Sequence, residues 1–92
     1  MKLVLIGKPS CKACTVMKNQ IMDRIDELTE IGASFEYINL DERLDKDTFI
    51  EKFKLTALPT SWVEVDGFMS ESFSGYVDID TLFSFVEDTK NG

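Results

Sequence analysis

Both cysteines of the chain fall in one four-residue stretch, Cys11-Lys12-Ala13-Cys14. An apolar run, Leu3-Val4-Leu5-Ile6, precedes it, and a long pattern of helical period follows it. The pair therefore sits where a buried strand ends and a helix begins. Unpaired backbone N–H groups and the helix dipole favour negative charge at such a place, so a thiol there is readily a thiolate. Two thiols one helical turn apart can also close on each other. The first attacks a disulfide and the second resolves the mixed disulfide that results. A bridge this short closes almost no loop and adds little stability through the unfolded state. The spacing points to chemistry, not to stapling.

The totals narrow the class. Residues 1–92 make one small domain, which can bury somewhat over ~60% of its unfolded surface without cross-links. A single cysteine pair argues against a disulfide-stapled secreted fold. The longest apolar run is far below the ~20 residues of a membrane span. Lys2 followed by Leu3-Val4-Leu5-Ile6-Gly7 imitates a signal peptide, but Lys8 and Pro9 interrupt it too early. The expectation is a cytoplasmic monomer. Net charge is −7, unevenly spread: residues 1–20 hold four lysines and no acid, while the rest hold six basic and seventeen acidic residues. An acidic protein is a poor nucleic-acid binder. Its cysteine end is nonetheless basic, so Lys8 and Lys12 can lower a thiol pKa and attract acidic partners.

In order, residues 2–7 read as a strand buried on both faces. Lys8-Pro9-Ser10 forms a turn, with Ser10 as N-cap of a helix that starts at Cys11. Apolar positions Cys14, Met17, Ile21, Ile25, Leu28 and Ile31 carry that helix to about Ile31, and Gly32 stops it. Residues 34–40 give a second strand. Asp45 or Asp47 caps a short helix with Phe49, Ile50 and Phe53 on its apolar face. A third strand runs through Ser61-Trp62-Val63-Glu64-Val65, Asp66-Gly67 signals a hairpin, and residues 68–74 return antiparallel. Gly75 marks a bend. Asp78 caps the last helix, with Val77 and Leu82 placed for a hydrophobic staple, and residues 88–92 fray.

This order, the CxxC opening the first helix and a proline opening the third strand together resemble the thioredoxin/glutaredoxin family over nearly the whole chain. The resemblance implies an α/β thioredoxin fold, βαβαββα, with a four-stranded mixed sheet and helices on both faces. It implies that Pro59 is cis and faces the cysteines, and that the Leu58 backbone pairs with an extended substrate peptide. Lys8-Pro9-Ser10-Cys11 looks like the glutaredoxin lead-in, where the lysine contacts the glutathione carboxylate. Leu58-Pro59-Thr60 looks like the thioredoxin segment. Ser74-Gly75-Tyr76 is closer to small glutaredoxin-like proteins that reduce ribonucleotide reductase and are recharged by thioredoxin reductase. Thioredoxin's Trp before the first cysteine, its Gly-Pro between the cysteines and its buried acid in the preceding strand are absent; Ser10, Lys12-Ala13 and Leu5 stand there.

The expected activity is reduction of protein disulfides through the dithiol, with no cofactor beyond the Cys11–Cys14 disulfide. Cys11, at the exposed first turn beside Lys12, is the nucleophile, with a pKa of about 7 or lower. Cys14, one turn deeper, resolves. Lys8, Lys12, Leu58, Pro59 and Gly75 make up the substrate side. Thioredoxin reductase or glutathione returns the electrons. The rival reading is metallic: CxxC is half a zinc knuckle, and with no histidine in the chain two copies would have to share four thiolates around zinc or an iron–sulfur cluster.

Overall fold

The computed structural model describes residues 1–91. Strand β1 (Lys2–Gly7) leads to helices α1 (Lys12–Asp23) and α2 (Ile25–Glu30). Strand β2 (Ser34–Asn39), a 3-10 turn at Leu40–Glu42 and helix α3 (Lys46–Phe53) follow. Strands β3 (Thr60–Val65), β4 (Phe68–Met69) and β5 (Phe73–Ser74) and helix α4 (Ile79–Asn91) complete the chain.

β1 lies at the centre of the sheet, parallel to β2 and antiparallel to β3. The strand order is β2-β1-β3-β4, with β5 also on β3. β1 is a continuous apolar run because each of its faces meets a helix layer. Leu3 and Leu5 pack with Met17, Ile21, Leu28, Leu82 and Val86 from α1, α2 and α4. Val4 and Ile6 turn the other way, to Trp62, Leu40 and Phe49 of the α3 side. Phe53 stacks on Trp62 with ring centroids 5.1 Å apart. The mixed sheet with helices on both faces agrees with the sequence expectation.

Local chemistry accounts for most element ends. Gly32 takes a φ of +81°. The Gly32 N–H donates to Thr29 O and the Ala33 N–H to Leu28 O, which closes a Schellman motif. Asp66 and Gly67 both have positive φ, as a tight hairpin turn requires. Asp78 Oδ2 accepts the Thr81 N–H at the start of α4, and Val77 packs on the cluster that holds Leu82.

Four expectations need correction. The first helix is not continuous to Ile31. It breaks at Arg24 (φ −118°, ψ 26°). The Arg24 guanidinium there binds Glu27 at 2.6 Å and Asp80 of α4 at 2.7 Å. Asp26 and Glu27 then open α2 with charges that suit a helix N-terminus. The return strand over 68–74 is interrupted between β4 and β5. The Ser70 hydroxyl accepts the Val63 N–H at 2.9 Å, taking the place of a ladder carbonyl. The sheet therefore has five short strands where four were expected. Residues 88–91 are helical, with Thr89 Oγ1 donating to Phe85 O; Gly92, the last of the residues expected to fray, lies outside the described residues. Ser10 is not the N-cap, as the site geometry shows.

Candidate functional site

The Lys8–Cys11 turn is closed by the Cys11 N–H donating to Lys8 O at 3.0 Å. Ser10 is thus inside the turn, exposed, and Cys11 itself becomes the N-cap of α1, with extended backbone angles. Its Sγ accepts the Cys14 N–H at 3.2 Å. The Cys11 sulfur therefore occupies the place of a capping oxygen. A hydrogen bond to the charged form, together with the helix dipole, lowers a thiol pKa. No acidic residue lies in the first turn of α1 to oppose this.

Cys11 and Cys14 are joined by a disulfide, with Cα atoms 5.2 Å apart, inside the usual range for such a bridge. Cys11 is half-buried, while Cys14 is fully buried. One sulfur can meet an incoming disulfide and the other can meet only its partner. That asymmetry is the one expected for attacking and resolving thiols.

Gly7 sets the depth of Cys14. A Cβ on Gly7 would lie 2.7 Å from Cys14 Cβ, 2.9 Å from Cys14 Sγ and 3.0 Å from Tyr37 Oη. No side chain fits there without moving the helix or the phenol. Tyr37 itself is half-buried, and Lys18 Nζ sits 4.7 Å from the centre of its ring. Burial pushes the Tyr37 hydroxyl pKa up, and the nearby Asp41 and Glu42 carboxylates add to the effect. The sequence reading missed both Gly7 and Tyr37. A glycine closing a buried strand just before the cysteines is the signal for a close backbone approach, and Tyr37 shares the inward phase of Phe35.

The residues expected on the substrate side divide. The Leu58–Pro59 peptide is cis, and the Gly75 N–H donates to Pro59 O at 2.7 Å. Pro59, Leu58 and Gly75 are thus adjacent. Lys8 and Leu58 share the wall of a cavity of about 160 Å³, whose lining includes Lys46, Ile50, Leu55 and Ala57. Lys46 also reaches Asp41 at 3.3 Å; among the described residues Lys8 makes no ion pair. Lys12 is exposed and is not part of this wall. Lys46 is a third residue that the sequence reading left out, hidden as an ordinary polar position of a short helix.

No family model matches the chain, and no curated protein matches it. Solved structures do. Thioredoxin-2 of a malaria parasite superposes with a TM-score of 0.76 at 19% identity, covering 95% of this chain and 81% of that one. Mitochondrial thioredoxin 3 of Saccharomyces cerevisiae gives 0.76 at 18% identity, with 95% and 76% covered. Thioredoxin f2 of Chlamydomonas reinhardtii gives 0.80 at 13% identity, with 99% and 80% covered. With β1 between β2 and β3, helices on both faces and the cysteine pair opening α1, the chain has the thioredoxin fold.

Proposed function

We propose that the protein is a thiol–disulfide oxidoreductase that reduces protein disulfides. The observation that carries the reading is the asymmetric Cys11–Cys14 disulfide, with a half-buried N-cap sulfur joined to a fully buried one. In the reduced protein the Cys11 thiolate attacks a substrate disulfide and releases one substrate sulfur. Cys14 then attacks Cys11 Sγ, the second substrate sulfur leaves with the proton, and the intramolecular disulfide forms.

The substrate is a polypeptide strand. Among the described residues, the Leu58 N–H and C=O have no backbone partner in the loop before β3, and strand addition supplies such partners. The cavity beside it, about 160 Å³, is below the ~300 Å³ lower bound of ligand pockets. It suits one substrate side chain, and Lys8 with Lys46 favours an acidic one. Residues 1–20 carry a charge of +4, which favours acidic partners generally. Ribonucleotide reductase is a candidate substrate through the Ser74-Gly75-Tyr76 likeness, and the cytoplasm is the proposed compartment.

The test is NADPH consumption with a disulfide protein under two recharging systems, thioredoxin reductase or glutathione with glutathione reductase. Turnover with thioredoxin reductase alone would place the protein with the thioredoxins functionally and remove glutathione as a Lys8 ligand. Turnover with glutathione alone makes Lys8 a glutathione contact. No turnover with either, with both thiols reactive, overturns both recharging routes.

A further inference from the structure

Cys14 must ionise to resolve a mixed disulfide, yet it is fully buried, and burial in apolar surroundings raises a thiol pKa. β1 offers no titratable side chain beside it: Gly7 lies against it, and Leu5 fills the next inward position. The polar atom that does reach this spot belongs to the neighbouring strand. Tyr37 is the register partner of Leu5 on β2, and its Oη and Cys14 Sγ crowd the same point above Gly7, at 3.0 and 2.9 Å.

We propose that Tyr37 is the positioning residue for the resolving step, its phenol O–H donating a hydrogen bond to the Cys14 thiolate in the reduced protein. The inference rests on the oxidoreductase reading. The phenol remains protonated throughout. Cys14 loses its proton, attacks Cys11 Sγ and forms the Cys11–Cys14 bond; the Cys11–substrate bond breaks, and the electron pair and proton leave with the substrate sulfur. Tyr37 supplies only the hydrogen bond that makes the buried anion accessible. Gly7 is small so that sulfur and phenol can meet over it.

The surroundings support a donor and not a base. Burial and the carboxylates of Asp41 and Glu42 push the phenol pKa up, so the O–H is kept across the neutral range. Lys18, one turn after Cys14, holds its ammonium over the Tyr37 ring and is the other group able to stabilise an anion there. From β3, Ser61, the register partner of Leu5, adds an uncharged buried hydroxyl that has no hydrogen-bond partner among the described residues.

The experiment titrates each thiol alone, by thiolate absorbance and by alkylation rate against pH. Cys14 is read in a Cys11→Ser background and Cys11 in a Cys14→Ser background, each with and without Tyr37→Phe. Loss of a hydrogen bond to a charged group predicts a rise of about one pKa unit for Cys14, tenfold less thiolate at neutral pH. Cys11 should not move. In the otherwise unchanged protein, Tyr37→Phe should lengthen the life of the mixed disulfide about threefold, since a more basic thiolate recovers part of the loss in nucleophilicity. An unchanged Cys14 titration overturns the proposal. So does a shift produced by Lys18→Gln and not by Tyr37→Phe, which would assign the effect to the ammonium. Equal shifts of both cysteines would also overturn it, as a general structural disturbance. The titration needs neither reductase nor substrate, so its result is independent of whether the protein turns over in the coupled assay.

Discussion

Replacing Gly7 by alanine tests how tightly the sheet and the cysteine helix are fitted. In most strands this exchange is favourable, because glycine in a strand interior costs roughly 0.5–1 kcal/mol relative to alanine. Gly7 is not among the residues with positive φ, so backbone conformation does not oppose the change. Sterics do. The new methyl would sit 2.7 Å from Cys14 Cβ and 2.9 Å from its sulfur. Cys14 Cβ is anchored to the helix backbone, so relief requires moving α1 away from β1. Overpacking a core of this kind costs about 1–3 kcal/mol. For a domain of this size each kcal/mol is worth about 4–8 °C in melting temperature, so Gly7→Ala should melt roughly 5–20 °C lower. The same displacement separates Cys14 from Tyr37 and should slow disulfide closure. Thermal melts of the oxidised and reduced forms, with closure followed by quenched alkylation, give both readouts. A Gly7→Ala protein that melts at or above the parent temperature, with closure undiminished, would refute the reasoning, because the helix would then have slack that the packing denies.

Other substitutions probe the frame around the site. Lys54 ends α3 in the left-handed region, at φ 53° and ψ 48°. Lys54→Gly should therefore stabilise the protein by about 0.5–1 kcal/mol, read as a higher urea midpoint at unchanged slope. The Arg24 hydrogen bond holds the Glu27 carboxyl below its usual pKa. Its contribution is fully present above the unfolded value of about 4.3 and is lost as the pH falls through the lower folded value. Stability measured against pH should show the parent above Glu27→Gln near neutrality and the two converging on acidification. A constant gap would mean that the Glu27 charge does not act through its pair with Arg24 at the start of α2.

Much of the fold was legible because local chemistry and tertiary packing agree. The unbroken run Leu3–Ile6 is buried on both faces, as its lack of alternation demands. Asp66-Gly67, Gly32 and Asp78 occupy the turn and caps that their residue types favour. The misreadings have physical causes. The apolar spacing of the first helix continues through Arg24, so periodicity could not reveal a break held by an ion pair to a residue of α4. Ser70 interrupts a strand through one side-chain hydrogen bond, which an alternation pattern does not register. Ser10 has the composition of an N-cap, but Cys11 takes the position because the turn closes one residue later. At the site, the Cys11–Cys14 pairing and the cis Leu58–Pro59 peptide follow the motif and element order. Tyr37 and Gly7 were not legible, since their meaning lies in the β1–β2 register and in a close approach between a strand and a helix.

The central claim is that Cys11 attacks and Cys14 resolves. Its most direct test is intact-mass analysis after mixing reduced protein with a disulfide-containing protein. Cys14→Ser should accumulate a covalent adduct through Cys11, Cys11→Ser should form none, and the unsubstituted chain should release reduced substrate while its own disulfide forms. An adduct through Cys14 in Cys11→Ser, or an unsubstituted chain that leaves the substrate disulfide intact, would contradict the account.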